Sequence, residues 1–241
     1  MERQRTEGAA AGRIAGTRPR SLGAASIRLP LLYLKALFTP SARFFAAEGE
    51  RASWGLVWIQ IILLILIPGL LAFFRSLDRS SAARDATNSQ AIGDLLSALT
   101  VSTTLVGIIA QILIVPLLFF FGLFVEFLIA RAFRGQGRLV WQGHAALLYQ
   151  VPLAIISSAI STIFLAIHLP LAVRLSLYPI INLALFIYSL FLNIVAIEGV
   201  HRLTRGRSTL VVIVTYAVFA LIIILLLVVL ARAIVSALHT T

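Results

Sequence analysis

Glu126 is the one acid set well inside an apolar run, and an ionisable side chain in such a setting is by default a candidate for function. It lies five residues before Arg131, roughly 7 to 8 Å along a helix axis. Two readings follow: a carboxylate near an interface, hydrated or paired with a neighbouring arginine, and a proton or cation site. Gln111 of the same apolar run and Gln150 of the next one would join such a site. Asn182, Ser189 and Asn193 recur at i, i+7 and i+11, one face of a helix. Ala154, Ser158 and Ser161 recur at i, i+4 and i+7 on the run before. Small, weakly polar faces let helices approach closely and hydrogen-bond across the contact, and they also suit a polar pathway.

Other chemistries find no support. The chain has no cysteine, which excludes disulfides, thiolate metal sites and cysteine nucleophiles. His144, His168, His201 and His239 are scattered over different loops and ends, with no metal-ligand spacing. Gly135-Gln136-Gly137 lacks the preceding strand and the spacing of a phosphate loop, so it reads as a tight turn with unusual backbone angles. Gly93-Asp94 lies outside the apolar runs, and Gly206-Arg207-Ser208 is followed by Thr209, so intramembrane protease signatures are missing. No nucleophile has a base beside it. The expectation is a protein that is not an enzyme and takes no cofactor or metal.

The elements that position these residues are membrane spans. Of 241 residues, 60% are hydrophobic and 12% charged, and the mean hydropathy is +1.02. A soluble domain carries about twice that charged fraction. Five long apolar blocks stand out, at about Trp54–Phe74, Leu105–Ala130, Ala145–Ile167, Leu175–Ile197 and Leu210–Ala231. In lipid, backbone groups must be satisfied within their own segment, so such runs are helices. The fold expected is an all-α, polytopic transmembrane bundle of five spans over residues 54–235, with a tail over 236–241.

The formal net charge is +11, and its distribution gives a direction. With five spans, the basic residues from Arg3 to Arg51, the group Arg131, Arg134 and Arg138, and the group Arg202, Arg205 and Arg207 share one side. The other side receives Arg75, Arg79, Arg84, Arg174 and Arg232, partly offset by Asp78, Asp85 and Asp94. The positive-inside rule puts the N-terminus in the cytoplasm and the C-terminus outside. Residues 1–26 read as a disordered basic tail. Their lack of aromatics favours anionic lipid headgroups over nucleic acid, and enforcement of topology is an equal reading. Residues 27–53 read as an amphipathic segment in which Ile27–Phe38 either lies in the interface or packs on the end of the bundle.

The order of short motifs carries a resemblance. Leu37-Phe38-Thr39-Pro40 and Phe44-Phe45 precede the first span, and Gly135-Gln136-Gly137 follows the second. Tyr149-Gln150-Val151-Pro152 opens the third, and a short basic turn separates the last two. From Leu29 to Ile234 the chain resembles the Yip-one domain family of Ypt-interacting membrane proteins, and especially its prokaryotic branch. The resemblance implies five spans, a cytoplasmic N-terminus and a bacterial plasma membrane. For eukaryotic members it implies binding to small Rab-type GTPases and to one another. Those members carry an Asp-Leu-Tyr-Gly-Pro stretch, whereas residues 37–55 here read LFTPSARFFAAEGERASWG, so GTPase binding does not carry over. The function expected is a non-enzymatic adaptor or organiser whose cytoplasmic turns, with Arg131, Arg134, Gly135, Gly137, Arg138, Arg202, Arg205 and Arg207, meet a protein partner or a second copy. The alternative is a small permease or channel subunit using Glu126, Gln111, Gln150, Asn182 and Asn193.

Overall fold

Two short helices precede five long ones in the computed structural model, which describes residues 26–85, 90–167 and 171–239. The tail expected over residues 1–26 lies outside the described residues except for Ser26, as does His168. Helix α1, Leu29–Phe38, carries Pro30 in its first turn, where a fixed φ and a missing N–H are tolerated. Pro40 breaks the chain, and Ser41 then caps α2, Ala42–Glu50, by accepting from the Phe44 N–H at 3.2 Å. Ser53 caps α3, Trp54–Asp85, by accepting from the Leu56 N–H at 3.3 Å. The remaining helices are α4 (Gln90–Ala132), α5 (Leu139–Ala166), α6 (Leu171–His201) and α7 (Arg205–His239).

Helices α3 to α7 are each long and apolar enough to cross a bilayer, so the protein is an all-helical, multi-pass membrane protein with five spans. They close into a ring in the order α3, α4, α7, α6, α5, with α4 also meeting α5 across it. Helix α4 has 43 residues. At 1.5 Å each that is about 65 Å, twice the thickness of a hydrocarbon core. It extends well before the Leu105 start expected from the apolar run, and Asp94 lies on the extension rather than in a loop. Its hydroxyls explain this. Thr100 donates to Leu96 O, Thr103 to Leu99 O and Thr104 to Thr100 O, so each polar group is absorbed by its own helix.

The core occupies one end of the ring, where α3, α5 and α7 begin and α4 and α6 end. Val57, Ile61, Leu147, Leu148, Val151 and Leu192 are buried there, and α1 adds Leu29, Ala36 and Leu37 while α2 adds Phe44 and Phe45. Tyr188 of α6 donates its hydroxyl to Leu37 O, tying α1 down. Helix α1 therefore packs on the bundle with one face, and Ile27, Leu31, Leu34 and Phe38 point outward at i, i+4, i+7 and i+11. Away from this end the helices show apolar side chains to their surroundings, such as Leu113, Leu117, Leu226 and Val229. That is the surface expected of helices solvated by lipid tails.

Helices α2 and α6 cross with almost no space between them. A Cβ on Gly199 would fall 2.2 Å from Ala42 O, so only glycine lets the start of α2 lie on α6.

Candidate functional site

Glu126 sits on α4 one turn before the packed end, and its side chain is buried. Asn193 of α6 donates to its Oε1 at 2.7 Å and Gln142 of α5 donates to its Oε2 at 2.9 Å. Three helices are thus joined through one carboxylate. The neighbouring-arginine reading does not hold: Arg131 lays its guanidinium over the Phe127 ring, 5.1 Å from the centroid. Five residues turn a helix by about 140° beyond a full circle, so the two side chains leave α4 in different directions.

The network continues toward the packed end. Gln142 spends its amide N–H on Glu126, so its Oε1 faces His201 Nε2 at 3.0 Å and accepts from it. The proton of His201 is thereby placed on Nε2, and Nδ1 is buried without a protein partner. A second buried pair lies on α3 and α5, where Gln60 Nε2 donates to Leu56 O at 3.1 Å and meets His144 Nδ1 at 2.6 Å. His144, His201, Gln60 and Gln142 were not among the candidates read from the sequence. The two histidines stand outside any metal spacing, and their role appears only when helices distant in sequence are brought together.

Against His201 rests the turn between α4 and α5. The Arg134 N–H donates to Arg131 O at 2.9 Å and the Gly135 N–H to Ala130 O at 2.8 Å, the paired bonds of a Schellman motif. The Gln136 N–H reaches His201 O at 3.1 Å. The expectation of unusual backbone angles at the glycines is corrected here: among the described residues no glycine has positive φ. Arg134 takes the left-handed position at φ 68°, and Arg202 does the same after α6 at φ 53°. Gly135 and Gly137 serve space instead. A Cβ on Gly135 would fall 2.6 Å from His201 Nδ1, and one on Gly137 would fall 2.9 Å from Val200 O.

The arginines of this end are exposed yet held. Arg138 lies over Trp141 at 5.2 Å and Arg205 over Phe191 at 5.8 Å. Arg202 pairs with Glu50 of α2 at 3.0 Å. Stacking holds the flat face of a guanidinium and leaves its in-plane N–H groups directed outward. Arg207 is exposed on the first turn of α7. Tyr33 of α1 is buried with its hydroxyl unpartnered, and burial pushes its phenol above the usual tyrosine range.

On the other side of Glu126 a cavity of about 380 Å³ opens inside the ring, lined by all five spans, with Leu64, Phe119, Gln150, Asn193, Thr215 and Phe219 among its walls. Gln150 and Asn193 therefore join Glu126, but Gln111 and Asn182 do not. Gln111 is exposed on α4. Asn182 accepts from Ser157 at 2.9 Å and donates to Tyr178 O, while Ser189 turns back to Phe186 O. The expected polar face of α6 is thus divided among separate partners. Ser161, on α5, accepts from Arg75 at 2.6 Å. Among the described residues no three His, Asp or Glu side chains gather as a metal site.

The family model for the Yip1 domain matches residues 34–229, which takes in the second half of α1, the ring and the cavity. The chain belongs to the Yip1 domain family. Nothing among curated proteins or solved structures matches it. The matched stretch of this Yip1-domain protein includes every residue of the Glu126 network and both arginine-bearing turns.

Proposed function

We propose that this Yip1-domain protein is a non-enzymatic organiser of the membrane, which uses the packed end of its bundle to hold an acidic protein partner at the cytoplasmic face of a bacterial plasma membrane. One observation carries the reading. The turn bearing Arg131, Arg134 and Arg138 is pinned to the end of α6 through Gln136 and His201, and its flanking arginines are stacked on Phe127 and Trp141. Guanidiniums ordered in this way lose little further freedom on binding a carboxylate or phosphate. The concentration of basic residues supports a cytoplasmic position for this end by the positive-inside rule. Arg28 and Lys35, exposed beside the outward apolar stripe of α1, suit anionic headgroups and seat the same end on the bilayer.

In-cell photo-crosslinking from position 136, whose side chain is exposed, tests the reading. One protein captured reproducibly, and lost when Arg131, Arg134 and Arg138 are replaced by glutamine, is the expected result. Capture of lipid alone or of a second copy alone contradicts it.

A further inference from the structure

Glu126 faces two ways. Toward the packed end it joins three helices, and toward the middle of the ring it forms part of the wall of the cavity. A volume of about 380 Å³ lies within the range of small-molecule sites, roughly 300 to 1,000 Å³. Most of the lining is apolar, with Leu64, Val115, Phe119 and Phe219 among it. Leu118 of α4 and Tyr216 of α7 belong to the lining and are also 61% and 39% exposed, which points to a mouth between these two helices.

Each carboxylate oxygen accepts one amide hydrogen bond, and each retains a further acceptor position. Both donors are neutral, so they satisfy hydrogen bonding without balancing a charge. A carboxylate within the membrane is stabilised most by a cation that carries its own hydrogen-bond donors. A bare metal ion would use the polar part of the lining alone, whereas Leu64, Val115, Leu118, Phe119 and Phe219 give the rest of the cavity an apolar wall. An ammonium group on an apolar body satisfies both halves of the site.

We propose that this cavity binds an amphiphile with a primary ammonium head, the head meeting Glu126 and the apolar body lying between α4 and α7. The site is within the ring, separate from the arginines displayed at the bundle's end, and does not rest on the function proposed for them.

The test uses the full chain in lipid nanodiscs and radiolabelled dodecylammonium, with dodecanol as the uncharged probe of equal chain length and empty nanodiscs as the reference. Saturable binding of dodecylammonium above empty nanodiscs is expected. Dodecanol, and dodecylammonium on Glu126→Gln, should bind at least about tenfold more weakly, since a hydrogen bond to a charged group is worth one to two decades of affinity. Gly122→Leu keeps the polar network and fills the cavity, because a Cβ at this position has only Phe219 near it, at 3.6 Å. It should abolish binding. If Glu126→Gln does not fold, the comparison of the two probes and Gly122→Leu decide the matter. Equal binding of the two probes, binding indifferent to Gly122→Leu, or no excess over empty nanodiscs overturns the proposal.

Discussion

Replacing Gly135 with alanine puts a methyl carbon 2.6 Å from His201 Nδ1 and 2.8 Å from Ala130 O. The carbonyl belongs to the last turns of α4 and cannot withdraw, so the imidazole or the turn must move. Crowding of this kind costs about 1–3 kcal/mol. A displaced imidazole also gives up its bond to Gln142, leaving a buried amide oxygen unpaired at about 1–3 kcal/mol more. The expected loss of stability is therefore about 2–6 kcal/mol. Arg134→Gly is the matched control, one residue away in the left-handed position. Relief of about 1–2 kcal/mol of backbone strain is set against about 0.5–1 kcal/mol of added chain entropy, for a change between zero and a slight gain. Unfolding in detergent, followed by tryptophan fluorescence with Trp141 beside the turn, separates the two. If Gly135→Ala unfolds with the wild type, or Arg134→Gly is the more damaging change, the account of the turn is wrong.

Gly199→Ala should lift α2 from α6, because no small adjustment relieves a 2.2 Å approach to Ala42 O. Exposure of Phe44 and Phe45 should cost about 2–5 kcal/mol, visible as proteolysis between α1 and α3, and wild-type resistance would contradict the close crossing. Tyr33→Phe removes a buried hydroxyl that has no partner and should be neutral or stabilising by up to about 1 kcal/mol in thermal melts. Its phenol is raised by burial, so the stability tied to its proton is complete below the ordinary value near pH 10 and falls above it, where melts of Tyr33→Phe should decline less. Asn193→Leu withdraws the donor to Glu126 Oε1 and should destabilise by about 1–3 kcal/mol, with an unchanged melt counting against the network.

Lipid-facing helices were the legible part of this sequence, because apolar side chains all round a segment have one meaning. What faces protein was harder to read. By hydropathy the third apolar run starts at Ala145, yet α5 begins at Leu139, and Gln142 and His144 in that first stretch are polar because they face partners rather than lipid. Serine and threonine hid the first turns of α4 by imitating a loop. Glu126 declares itself as an acid in an apolar run, and the structure brings Gln150 and Asn193 to the same cavity. Its partners depend on α5 and α6 arriving beside α4, which no local spacing encodes. Gly135 and Gly137 drew attention as glycines, but for the wrong reason, since conformational freedom and lack of bulk look alike until His201 is seen against them.

The central claim is that the arginine-bearing turn is a fixed platform, and amide hydrogen exchange of the chain in nanodiscs tests it most directly. Three successive N–H groups, those of Arg134, Gly135 and Gln136, donate to Arg131 O, Ala130 O and His201 O. Protection of these amides comparable to the adjoining end of α4, lost in Gly135→Ala, is the expected result. Exchange at the rate of an open loop would contradict the platform and the function proposed from it.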